Sequence, residues 1–208
     1  MKIVLVSFCL TFSLSLIFVG CNKQLELNEY VNKIIDDTDY KKAFQNHNYK
    51  IYCSYRPGSI LALNELKNKL FPKNILTRRE FDIEGMKYGN SFYFNLNIGL
   101  ISGEGIIKEN SADKEEYSNL LSELTYNMYR DFYMIIDQKD TVYALTYNYS
   151  NTYSIKPDIE LLFAFPKAKN YKKLEMVYDD KIFDIGEKIK FVDSSREIEK
   201  SMPILKLN

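Results

Sequence analysis

Across residues 91–101 the chain carries Phe92, Phe94, Leu96, Ile98 and Leu100 at every second position, with Tyr93, Asn95, Asn97 and Gly99 between them. Alternate side chains of a strand point to opposite faces, so this run commits one face of a β-strand to a core and leaves the other more polar. One buried face and one solvated face is the usual arrangement of an antiparallel sheet. The same alternation over residues 49–56 sets Tyr49, Ile51, Cys53 and Tyr55 against Lys50, Tyr52, Ser54 and Arg56. Seventeen tyrosines and thirteen phenylalanines, with no tryptophan, suit pleated and half-buried surfaces.

Further strands are predicted over residues 132–136, 141–149, 159–165, 174–178 and 188–192. The first two flank Asp137-Gln138-Lys139-Asp140 and predict a hairpin. Two other stretches have helical spacing. Ser59, after the strand-stopping Pro57-Gly58, is placed to cap a helix with Ile60, Leu63, Leu66 and Leu70 along one stripe, ended by Pro72. Asp113, Glu115 and Glu116 form an acidic first turn ahead of Tyr117, Leu120, Leu121, Leu124 and Met128. A shorter helix is expected over residues 30–37, and Asn46-His47-Asn48 as a turn. Strand–helix–strand alternation is absent, so the expected fold is α+β: a mostly antiparallel sheet or sandwich with about two amphipathic helices. The alternative is an all-β sandwich carrying one packed helix.

The N-terminus has a different grammar. Lys2 supplies one positive charge, and residues 3–19 contain no charge, proline or glycine. At about 1.5 Å per residue such a run spans roughly 25 Å as a helix, short of a hydrocarbon core of about 30 Å. It ends in Phe18-Val19-Gly20-Cys21, which resembles the lipobox of bacterial lipoproteins, with Phe18 in place of the usual leucine. The resemblance implies a signal peptide over residues 1–20, cleavage before Cys21, and attachment of lipid to the Cys21 thiol, with a membrane as partner. Residues 21–28, polar and unpatterned, are expected as a tether, and residues 29–208 as a single globular domain. A plain membrane anchor with an incidental Cys21 is the competing reading.

Charge excludes some partners. With 28 basic and 28 acidic residues, loss of Lys2 leaves one net negative charge, which argues against nucleic acid and against polybasic membrane attachment. With Cys9 in the leader and Cys21 lipidated, Cys53 remains alone, so the domain is expected to hold itself together by packing, with Cys53 buried.

Catalytic chemistry finds few candidates. One histidine, His47, disfavours histidine metal sites and serine or cysteine triads, and no phosphate loop, dinucleotide fingerprint or G-x-S-x-G is present. No catalytic, metal or cofactor residue is assigned. Arg56-Pro57-Gly58-Ser59 reads as turn geometry rather than an anion site, and Asp179, Asp180 and Asp184 as a solvated turn rather than a calcium loop. The expected role is a non-catalytic binding or envelope-assembly module whose partner is an envelope protein or a glycan. A carboxylate-based hydrolase acting on envelope or glycan material is the alternative.

Two surface features bear on that role. Extended as one strand, residues 141–149 place Tyr143, Leu145, Tyr147 and Tyr149 on one face, making Tyr143, Tyr147 and Tyr149 candidate partner contacts, unless that face is core. Composition rich in lysine, asparagine, isoleucine and tyrosine resembles that of Bacteroidetes lipoproteins. That likeness implies Thr141, in Asp140-Thr141-Val142, as an O-glycosylation candidate. Because Asn22-Lys23-Gln24 precedes the first acid, it also implies a periplasm-facing anchor rather than cell-surface display.

Overall fold

A computed structural model describes residues 24–36, 40–70, 76–150, 156–193 and 202–207; residues 1–20, Cys21 and Pro72 lie outside them. Among the described residues the fold is α+β, with five α-helices and eleven strands. Its centre is a sandwich of two antiparallel sheets. One sheet has the order β2 (Lys41–Gln45), β3 (Tyr49–Tyr55), β4 (Ser91–Leu100), β8 (Ile159–Pro166), β7 (Thr146–Tyr149). The other has the order β10 (Lys188–Asp193), β9 (Leu174–Asp179), β5 (Phe132–Ile136), β6 (Asp140–Tyr143).

Register explains the core. Ile51, Ile98 and Ile159 lie opposite one another across three strands, as do Cys53, Leu96 and Leu161, then Tyr55, Phe94 and Phe163. Phe132, Tyr178 and Ile189 form a matching row on the second sheet, beside Met134, Met176 and Phe191. The two inner faces meet ring to ring, with Phe132 4.7 Å from Phe163 and 5.9 Å from Phe165. At about 25 cal/mol per Å² of apolar surface removed from water, each of these fully buried phenylalanines contributes roughly 1.5–3 kcal/mol of cohesion.

Helix α5 (Lys114–Tyr126) starts where the acidic turn predicted it, with the Asp113 carboxylate accepting from the N–H groups of Glu115 and Glu116. Its Leu120 and Leu124, with Met128 in the following 3-10 turn and Ile106 and Ile107 of α4 (Ile106–Glu109), join the sandwich core. A second apolar cluster holds a smaller layer. Leu25 and Leu205 come from β1 (Gln24–Leu25) and β11 (Ile204–Leu205), a parallel pair. Tyr30 and Ile34 come from α1 (Leu27–Asp36), and Ile60, Leu63 and Leu66 from α2 (Gly58–Leu70). Phe81 of α3 (Arg78–Met86) packs against this cluster. Tyr88, just after α3, meets Tyr93 edge-on at 5.7 Å. Tyr93 lies on the outer face of the five-stranded sheet, so the small layer leans on that face.

Three expectations need correction, and one helix goes beyond them. Residues 141–149 form two strands: β6 ends at Tyr143 and β7 begins at Thr146 in the other sheet, so the β5–β6 hairpin is shorter than the apolar pattern implied. Ser59 lies inside α2 rather than capping it, and its Oγ accepts from the Tyr30 hydroxyl at 2.7 Å, tying α1 to α2. The regular structure reaches back to Gln24, into the segment expected as tether. Helix α3 was not anticipated.

Candidate functional site

The sheet switch decides where the candidate tyrosines go. Tyr143 lies on the outer face of the four-stranded sheet, 54% exposed, its ring 5.9 Å from that of Tyr133 on the neighbouring strand. The chain then crosses at Ala144-Leu145, where Leu145 is 66% exposed and donates its N–H to the Ala164 carbonyl at 2.8 Å. Tyr147 and Tyr149 emerge on the inner face of the other sheet. Tyr147 stacks on Phe163 at 5.1 Å and 19°, and its hydroxyl accepts from the Met128 N–H at 3.2 Å. Tyr149 packs against the same core, and burial raises its hydroxyl pKa to about 12. The single tyrosine face is therefore corrected to one exposed tyrosine with an exposed leucine at a corner, and two tyrosines that belong to the scaffold. Thr141 is exposed on β6, an edge strand.

Polar residues also gather on the outer face of the five-stranded sheet. Ser54 and Asn95 are register partners and both buried. The Asn95 amide donates to Glu160 Oε1, whose side chain also faces Lys156 at 3.8 Å. Arg56, within the field of Glu160, has its pKa lowered by burial. Close packing explains Gly58 nearby, at the start of α2: a Cβ there would fall 2.8 Å from that of Tyr88.

The acidic residues near the end of β9 are mostly committed to structure. Asp180 Oδ1 accepts from the buried Tyr178 hydroxyl at 2.6 Å and from the N–H groups of Ile182 and Phe183, and Oδ2 from that of Ile185 at 2.8 Å. Asp179 pairs with Lys188 at 2.9 Å and Lys181 at 3.0 Å, which hold its carboxyl below the usual range. Among the described residues no group of three or more metal-ligating side chains is assembled. Asp131, immediately before β5, is different. Burial, reinforced by Asp180, Asp179 and Glu123 against the opposing charge of Lys181, raises its carboxyl to about 6.

A shallow depression is lined by Ile106, Ile107, Tyr149, Lys156 and Asp158. Lys50 of β3 reaches Asp158, just before β8, at 3.4 Å across Gly99 of the intervening β4. Cys53 is a buried thiol on the inner face of β3.

The chain matches no protein-family model and no curated protein. Among solved structures it is similar to a novel protein of unknown function from Burkholderia pseudomallei K96243, at 11% identity and a TM-score of 0.37, covering 81% of this chain and 90% of that one.

Proposed function

We propose that this protein is a bacterial lipoprotein, held at a membrane through lipid on Cys21, whose folded body acts by binding rather than by catalysis. The observation that carries the anchoring is positional. The apolar run and Phe18-Val19-Gly20-Cys21 are followed, three residues after Cys21, by the first strand of the fold. The attachment residue thus stands only three residues ahead of that strand in the sequence. Two or three acyl chains, each buried methylene adding about 0.8 kcal/mol, anchor stably. The anchor serves a periplasm-facing domain, with display at the cell surface as the alternative.

Binding is favoured by the corner of Tyr143 and Leu145, which exposes an amphipathic ring and an apolar side chain at a defined place between two sheets. Its partner is an envelope protein or a glycan. Fractionation tests the anchoring: the wild type sediments with membranes, whereas Cys21→Ser accumulates as precursor or leaves the lipid phase. Equal partition of both would refute it.

A second reading, a carboxylate-based hydrolase acting on envelope or glycan material, draws on Asp131, because a carboxyl near 6 is what a general acid needs near neutral pH. It requires Asp131→Asn to abolish hydrolysis of a glycan substrate while the fold is kept.

A further inference from the structure

Three peptide links separate Cys21 from Gln24, so their Cα atoms are within about 11 Å of each other whatever the path between them. A lipid on Cys21 therefore brings β1 to the headgroup region, with no room for the body to stand away. Ile204 is the register partner of Gln24 on β11 and is 40% exposed. On α1, which begins two residues after β1, Leu27, Val31 and Ile35 follow at i, i+4 and i+8, a single row beside the buried pair Tyr30 and Ile34. Leu27 is 41% and Ile35 47% exposed, so the apolar arc of α1 is wider than its own core uses. A charge directly follows each of the two strands, and these two pair: Lys206 Nζ lies 2.7 Å from Glu26 Oε1.

We propose that this small layer is a membrane-seating face, in which Leu27, Ile35 and Ile204 enter the boundary between headgroups and acyl chains of the bilayer that holds the lipid of Cys21. The proposal rests on the anchoring reading and goes beyond it, because it gives the body a fixed pose. An amphipathic helix of this kind lies in the plane of the interface with its apolar side about 5–10 Å deep. The occupant is lipid rather than protein because the tether length delivers lipid to this face first. The layer leans on the outer face of the five-stranded sheet, so the opposite side of the sandwich, carrying Tyr143 and Val192, points away from the bilayer.

Because the chain contains no tryptophan, single reporters can be read without background. Leu27→Trp, Ile35→Trp and Ile204→Trp, each in the full lipidated chain, are reconstituted into vesicles of phosphatidylethanolamine and phosphatidylglycerol, with Val192→Trp as the outward control. The expected result is blue-shifted emission at positions 27, 35 and 204 and roughly twofold stronger quenching there by brominated lipid than at 192, the depth an interfacial helix reaches. Equal emission and quenching at all four positions, in protein whose mass shows lipid on Cys21, overturns the seating face and leaves the anchoring intact. A mass without lipid on Cys21 overturns the anchoring, and the seating with it.

Discussion

Asp131 shows how one residue sets a pH dependence. Its carboxyl is raised from an unfolded value near 3.8 to about 6, so between those values the folded chain keeps a proton that the unfolded chain has released. Stability from this group therefore rises as pH falls through about 6, is complete below about 4, and is lost as pH rises. Asp131→Asn should raise the melting temperature at pH 7.5 and flatten its rise between pH 7 and 5. An unchanged slope, measured by calorimetry across that range, contradicts the assignment. Cys53 offers a second check at this scale. The thiol is 4% exposed, between Lys42 and Leu96 in register, and should react with a thiol reagent only as fast as the sheet opens. Labelling in native buffer at the rate seen in denaturant would remove it from the core.

At the scale of elements, the β6–β7 corner makes two neighbouring tyrosines energetically unlike. Tyr147→Ala loses a stacked ring and a hydroxyl that satisfies the Met128 N–H, at a cost of about 2–4 kcal/mol, while Tyr143→Ala should cost under about 1. Denaturant titration of the two variants separates them, and equal losses would refute the split between sheets. This corner also marks what the sequence concealed. Residues 142–149 keep an unbroken alternation across Ala144-Leu145, and periodicity names a face without naming the sheet that owns it. Strands β3, β4 and β5 were legible because each carries buried apolar residues at alternate positions, such as Ile51 and Cys53, Phe94 and Leu96, and Phe132 and Met134. Helix α3 was missed although Thr77 and Glu80 spell a capping box, closed in the structure by both reciprocal bonds, because its solvent-facing Ile83 and Met86 blur the apolar stripe. Two-residue strands such as β1 and β11 carry no period at all.

For the whole molecule, the sandwich and its small layer divide the work. Cohesion lies between the sheets, where aromatic rows interlock, and the described chain enters beside the small layer at Gln24, next to the cysteine proposed to carry lipid. The candidate binding surface was only partly legible. Tyr143 was found by its residue type, but its separation from Tyr147 and Tyr149 depended on which strand each half pairs with, Tyr143 with Tyr133 ten residues back and Tyr147 with Phe163 sixteen residues on. Among the described residues no helix is long and apolar enough to cross a membrane. The proposed attachment depends on one residue, Cys21. The intact mass of the protein purified from membranes tests that most directly. The account predicts a chain beginning at Cys21 and heavier than its peptide by a diacylglyceryl group, with or without a further acyl chain on the new amino group. A chain beginning at Met1, or one beginning at Cys21 with an unmodified thiol, would contradict it.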